Sequence, residues 1–336
     1  MGGPDPALPG GGRVCIRPAG RMLTKIALRA ILVSIVVMRL RCAVLVVLCL
    51  VAGLACAPPS APGQQRCNGH AQLCERTLDN VVFAGAHNSM SSRDDAFLAP
   101  NQSATVRVQL DLGVRAFLID TKAADEETYP GEGVLLCHAA CSLGRISLST
   151  WLLRIKTFID ESPDTVVQLL VQDEASAADT GAVFSAVGLL DELYVHDDGA
   201  PWPILQELIE DRTRIFVTAE SPAVAPEPWF HSMFQLFSDT PFTYSELSEI
   251  QAPESCAVLR GSAENDLFLI NHWLGPLPAA DAADVANTRA VLDERTRRCA
   301  ALRGRAPTVV AVDFVDHGDL SVVVDGLNGV EPAAVR

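Results

Sequence analysis

From residue 81 onward the chain alternates short β-branched apolar runs with stretches of helical periodicity, and each run closes on a polar residue. The runs are VVFAG from Val81, VRAFLID from Val114, VLLCH from Val134, TVVQLLVQD from Thr165, RIFVTAE from Arg214, MFQLFSD from Met233, DLFLINH from Asp266 and TVVAVDF from Thr308. The Met233 run fits a helix as well as a strand. Leu148, Trp151, Leu152, Ile155, Phe158 and Ile159 recur at three- and four-residue steps, which puts one apolar stripe on a helix that must bury. Val285, Thr288, Leu292, Cys299 and Leu302 predict a second helix across 284–302.

Near-continuous apolar strands separated by amphipathic helices suit a parallel sheet covered on its outer face. Eight runs over residues 67–336 predict an α/β fold, an irregular (β/α)8 TIM-type barrel in a single domain, with an open doubly wound sheet as the alternative. The polar exits separate the two. A barrel gathers its chemistry at the C-terminal ends of many strands, and here His87, Asp120, His138, Asp173, Glu220, Asp239, His272 and Asp313 stand one per run.

The region before residue 67 differs. Ile31 to Ala57 reads ILVSIVVMRLRCAVLVVLCLVAGLACA, and Arg39 and Arg41 interrupt it, leaving a 16-residue uncharged stretch from Cys42 to Ala57. A spanning helix needs roughly 20 apolar residues, whereas an export signal needs a basic start, a shorter apolar centre and a small-residue exit. Residues 1–56 are therefore read as a leader whose effective signal is 38–56, and the Pro-rich 57–66 as a flexible tether. Cys56 in GLAC resembles a lipoprotein junction, although Gly53 stands where such junctions carry Leu, so plain secretion and lipid anchoring at Cys56 are both expected outcomes of an extracytoplasmic route. An uncleaved single-span anchor is the remaining alternative.

The leader also masks the acidity of the rest of the chain. It holds seven Lys/Arg against one acid, Asp5, so residues 57–336 carry 19 basic and 40 acidic side chains, a net charge of −21. Such a surface argues against nucleic acid as a partner and gives no electrostatic attraction to anionic membranes. Beyond Cys56 six cysteines remain, an even number that in an exported chain reads as disulfides. Spacing suggests Cys67 with Cys74, Cys137 with Cys141 and Cys256 with Cys299, among the 15 pairings six cysteines allow. Neither local pair has the C-x2-C spacing of a structural zinc site.

Of seven histidines, His70, His196, His231 and His317 lie in polar or turn-like contexts and are expected at the surface. His87 follows an apolar run at the start of a loop, and His138 ends VLLC inside the expected Cys137–Cys141 loop. Two imidazoles on strand ends can divide proton work, one removing a proton from a nucleophile and the other donating to a leaving group. The plainer alternative is hydrogen bonding at a barrel rim. Asp120 and Asp173 close apolar strands, where an unpaired charge is costly; they can orient an imidazole or, with Asn88, offer oxygen ligands to a divalent cation. Arg115, Arg260 and Lys122 are available as structural partners for Asp120 and Asp313 instead.

The ordered motifs VVFAGAHNSMS, GVRAFLIDTK, LLCHAAC, DTVVQLLVQDE, WPILQELI, RIFVTAE, LFLINHW and TVVAVDFVDHGD together resemble the phosphatidylinositol-specific phospholipase C X-domain superfamily, closest to its secreted phosphodiesterase-like branch, from about Cys67 to about Gly329. The resemblance implies a TIM-type barrel cleaving a phosphodiester with two histidines. His87 matches the general base on the inositol 2-hydroxyl, and His138 matches the acid that protonates the diacylglycerol oxygen, with Asp120 among the catalytic group. Calcium-dependent members carry Asn after the first histidine and acids in the second and fourth motifs. This chain keeps Asn88, Asp120 and Asp173 as candidate calcium ligands, but has Leu118 in place of a glutamate and Gln172 where the branch has Glu. Metal-free members place an arginine at the position of Asp120, so Lys122 is the substitute cation for the phosphoryl oxygens, and Asp173, His272 and Asp313 complete the expected substrate contacts.

The expected partner is a phosphodiester lipid or its headgroup, with a membrane surface as its source; oligomeric state is not legible. A magnesium-dependent glycerophosphodiesterase or sphingomyelinase D type barrel is a second enzymatic reading, although its first motif has His-Arg-Gly where this chain has His87-Asn88-Ser89. A barrel kept as a ligand-binding surface module is the third, motivated by Leu118 and Gln172.

Overall fold

The computed structural model describes residues 65–221 and 227–332. The leader, most of the tether and Cys56 lie outside them, and the fold belongs to the unit Gly63–Arg336.

Eight parallel strands form one curled sheet in the order β7-β6-β5-β2-β1-β10-β9-β8, where β1 is Phe83–Ala86, β2 Ala116–Ala123, β5 Val167–Glu174, β6 Ile215–Ala219, β7 Phe230–Ser232, β8 Phe237–Asp239, β9 Leu267–His272 and β10 Val309–Val312. The two ends of this path are joined by the four-residue helix Met233–Leu236, which brings β7 and β8 next to each other in the chain and leaves the curl open there, as an irregular TIM-type barrel. The longest register is β2 on β5, with Asp120 opposite Gln172 and Thr121 opposite Asp173.

Two expectations change. VLLCH does not join the parallel path: β3 (Val134–Leu136) returns antiparallel on β2 and pairs with β4 (Ile146–Ser147). The remaining parallel strand is β7, from PWFHS, a run too short and mixed to stand out. The Met233 segment is both things at once, a short helix followed by β8.

Successive side chains on a strand face opposite ways, so each strand sorts its residues between two layers. Phe83, Ala116, Leu170, Phe216, Leu269, Val309 and Ala311 fill the barrel interior, while Phe117, Ile119, Leu169, Val171 and Val217 meet the helices outside. The helix Leu148–Glu161 buries all six residues of its predicted stripe, and its N-cap Ser147 accepts from the Thr150 amide. Trp151 is fully buried edge-on against Phe117, with ring centroids 5.8 Å apart.

The predicted 284–302 helix is in fact two helices, Ala280–Ala286 and Arg289–Arg303, and Val285 and Leu302 are exposed. Asn287 makes the break: its side chain donates to the Asp313 carbonyl (2.8 Å), and its own carbonyl accepts from the Asp319 amide (2.9 Å). The disulfides are Cys67–Cys74, Cys137–Cys141 and Cys256–Cys299. The last ties the Pro253–Cys256 turn to the Arg289–Arg303 helix beside Phe268 and Ile270.

Candidate active site

At the C-terminal mouth the barrel interior holds a cavity of about 170 Å3. Leu118, Leu170 and Leu269 form apolar lining carried up from the core; His87, Asp120, His138, Gln172, Glu220, Arg260 and Asn271 supply the polar lining.

His87 leaves β1 with its amide on the Val312 carbonyl (2.9 Å), and Asn88 then turns the chain at a φ of 44°. Gln102, fully buried, donates to the carbonyls of His87 (2.7 Å) and Val312 (3.2 Å), which pins this exit to β10. His87 Nδ1 donates to Asp313 Oδ1 at 2.8 Å, and that oxygen also accepts from Asn101 Nδ2 at 3.0 Å. With Nδ1 protonated, Nε2 carries the lone pair, and Asn88 Nδ2 donates to it at 3.2 Å. One face of the ring is covered by Trp273, whose centroid lies 3.7 Å away with planes 3° from parallel.

His138 sits beyond β3 between bonded Cys137 and Cys141, with Ala139 at a φ of 57°. Its Nδ1 lies 3.0 Å from Asp120 Oδ2, and the Cys137 amide donates to the Asp120 carbonyl (3.3 Å). The hydrogen bond to Asp120 raises the His138 pKa above the usual histidine value, against desolvation, with smaller contributions from the charges of Asp120 and Asp313. That shift is toward the protonated form of His138, whose Nε2 has no hydrogen-bond partner among the described residues, whereas His87 Nε2 accepts from Asn88.

The far wall is built around Arg260. Its Nε and Nη2 donate to Asp239 Oδ2 (2.9 and 2.6 Å), and Nη1 donates to Glu220 Oε1 (2.8 Å). That uses three of the five N–H donors of a guanidinium. Asn271 Nδ2 steadies Asp239 from the other side at 3.2 Å. Desolvation raises the Glu220 pKa, opposed by Arg260.

Of the residues expected at the site, His87, Asn88, Asp120 and His138 line this cavity, and Asp313 stands behind His87. Asp173 does not line it: one residue past Gln172, it shares the outward direction of Leu169 and Val171, and its Oδ1 accepts from the Ser221 amide at 2.7 Å. Burial raises its pKa. His272 faces outward for the same reason and is fully buried, with Nε2 donating to the Ala286 carbonyl (2.9 Å) and Nδ1 accepting from Arg295 (3.1 Å). Lys122 donates to the Ala139 carbonyl (2.9 Å) and pairs with Glu174 (3.1 Å), bracing the His138 loop instead of lining the cavity. Arg260 pairs with neither Asp120 nor Asp313, and Arg115 donates to the carbonyls of Leu110 and Val114. Of the histidines expected at the surface, His196 is buried against Trp202 and His231 is half-buried.

The calcium donor set does not assemble. Asn88 and Asp120 are present, but one Asp120 oxygen is committed to His138 and Asp173 is turned away, while a hard dication takes about 6–8 oxygens. Among the described residues no three His, Cys, Asp or Glu side chains gather where an ion could sit.

Asn271 and Trp273 do not stand out in the sequence as site residues, Gln172 does so only as a departure from the family pattern, and Arg260 only as an ion-pair partner. Alternation within each strand is the signal that finds them, because counting by two from Leu118, Leu170 and Leu269 reaches Asp120, Gln172, Asn271 and Trp273.

The structure is thus an irregular TIM-type barrel that holds two carboxylate-bound imidazoles on one cavity at its C-terminal mouth. The PI-PLC X domain family model matches residues 73–328, and the chain belongs to that family. It is similar to PI-PLC X domain-containing protein 1 of Arthroderma benhamiae, 29% identical over 288 residues that cover 79% of this chain and 90% of that one. An uncharacterized secreted protein of the same organism is 25% identical over 287 residues, 78% of this chain and 63% of the relative. The fold matches phosphatidylinositol-specific phospholipase C from Staphylococcus aureus with a TM-score of 0.51 at 13% identity, covering 76% of this chain and 94% of that one. A second structure of that enzyme gives 0.51 at 10% identity, covering 80% and 99%.

Proposed function

We propose that this protein is an exported phosphodiesterase that cleaves a phosphoinositide-type lipid by two-histidine acid–base catalysis. The observation that carries the reading is the placement of two carboxylate-held imidazoles on one cavity, His87 with Nδ1 on Asp313 and His138 with Nδ1 on Asp120. His87 Nε2 takes the proton from a headgroup hydroxyl next to the phosphate. That oxygen bonds to phosphorus, the P–O bond to the lipid breaks, and His138 gives its proton to the departing oxygen. The products are a cyclic phosphate and a diacylglycerol. Asp313 and Asp120 each stabilise the imidazolium form of the ring they hold.

Charge on the phosphoryl oxygens falls to Arg260 through its two uncommitted N–H groups and to the amide of Asn88. The cavity is smaller than the ~300 Å3 at which sites for drug-sized ligands begin, which suits one headgroup ring with the acyl chains left outside. Export is supported by the leader pattern and by three disulfides. The test replaces His87 or His138 with Ala and follows release of diacylglycerol from phosphatidylinositol micelles. Loss of at least ~100-fold in kcat from either change is expected; wild-type turnover after either removes the mechanism.

A further inference from the structure

One buried group remains without a role. Arg295 is 1% exposed and has no carboxylate partner among the described residues; its donors go to the Asn271 and Ser255 carbonyls, the Tyr244 and Ser255 hydroxyls and His272 Nδ1. Beside it, burial and the Arg295 charge push the His272 pKa down to about 3, so His272 is a neutral ring that donates at one nitrogen and accepts at the other. A guanidinium and an imidazole satisfied this fully at the end of β9 fix the backbone from which the next residue, Trp273, projects.

Trp273 turns inward, only 8% exposed, lining the cavity and covering one face of His87. Behind the indole lie Ala279, Ala283 and Ala286, small residues that leave room for it, together with Asn287. The same helix end therefore serves both sides of His87: the Ala286 carbonyl anchors His272, and the adjacent Asn287 side chain holds the Asp313 carbonyl.

We propose that Trp273 is a positioning residue for His87, clamping the imidazole plane so that Nε2 points into the cavity while Asp313 holds Nδ1, with the His272–Arg295 pair as its anchor. Asp313 at Nδ1 and Asn88 at Nε2 hold two atoms of the ring and leave it free to tilt about the line that joins them. A parallel aromatic face removes that freedom, and it attracts the ring most when the imidazole is cationic, as it is after accepting a proton. This inference rests on the two-histidine reading for its kinetic arm only.

The experiment compares wild type with Trp273→Leu and Trp273→Phe, each checked for a cooperative thermal melt. Diethyl pyrocarbonate modification of His87, located by peptide mass spectrometry, is expected to quicken severalfold in Trp273→Leu and stay near wild type in Trp273→Phe, with His138 unaffected in both. On phosphatidylinositol micelles, kcat is expected to fall about 10–100-fold in Trp273→Leu with KM within twofold, and Phe to restore most of it. If Trp273→Leu does not melt cooperatively, Trp273→Met, apolar and without a ring face, is read the same way. Unchanged His87 modification, or a raised KM with kcat kept, overturns the proposal; the latter would make the indole a headgroup platform. If wild type leaves phosphatidylinositol intact, the lipid-cleaving function fails, and the modification rates still decide the role of Trp273.

Discussion

Asp120 decides what His138 can do. Its hydrogen bond is the first cause of the raised His138 pKa, so Asp120→Asn removes the cause while keeping the shape. In a bell-shaped profile of kcat/KM the basic limb reports loss of the acid, here deprotonation of His138. That limb is expected to move to lower pH in Asp120→Asn, with kcat lowered at neutral pH; a limb that stays in place would mean another group is the acid. Arg260 gives a second test at this scale. As the cavity's guanidinium it is expected to cost ~100-fold or more in kcat when replaced by Met, with partial recovery in Lys, which keeps charge but loses the fork. Because the calcium donors do not converge, turnover is expected to change less than twofold between excess EGTA and millimolar calcium; strict dependence on added calcium would overturn the assignment of phosphoryl neutralisation to Arg260. His87, Asn88, Asp120 and His138 were legible because each follows or closes an apolar run. Arg260 was not, because it lies in a loop after β8 and reaches the cavity only through Asp239 and Glu220, partners contributed by two other strand ends.

Alternation within the strand is the element-scale rule that the exit residues obscured. Asp173 and His272 end apolar runs as Asp120 does, yet each is one residue out of step with the inward positions, and a single step reverses the face. The helix Leu148–Glu161 was fully legible because six apolar residues kept its period; the break at Asn287 was not, because it depends on Asp313, distant in sequence. β7 was missed for a related reason, since three residues lack a period and their pairing with β6 is a tertiary event. Gly85 marks the closest approach of β1 to β10. A Cβ there would lie 2.9 Å from Val309 Cγ1 and 3.0 Å from the Ala311 Cα, so Gly85→Ala is expected to destabilise by about 1–3 kcal/mol in urea unfolding and to lower kcat by shifting His87. An unchanged midpoint would show that β1 and β10 can separate without cost.

Across the whole molecule, buried and half-buried histidines are expected to make stability fall as pH is lowered. Burial lowers the pKa values of His196, His231 and His272, the last to about 3. Each takes a proton in the unfolded chain near 6.5 but not until lower pH in the folded one, so the unfolded state binds more protons as pH falls. Their stabilisation is complete above 6.5 and is lost progressively below it. The urea midpoint is therefore expected to drop between pH 7 and pH 5, with a shallower slope in His231→Asn; identical slopes would remove the histidines as the cause. The barrel, its single domain and its disulfides were readable at this scale because patterning and cysteine spacing are whole-chain properties, whereas the open seam between β7 and β8 is not encoded in any one segment.

In the proposed reaction a headgroup hydroxyl, activated by His87, attacks phosphorus while His138 protonates the leaving oxygen. Phosphorus NMR of phosphatidylinositol during turnover tests it directly. A cyclic phosphodiester is expected to accumulate with wild type and to be absent with His87→Ala. Release of an acyclic inositol phosphate as the first product, or of phosphatidic acid, would contradict it.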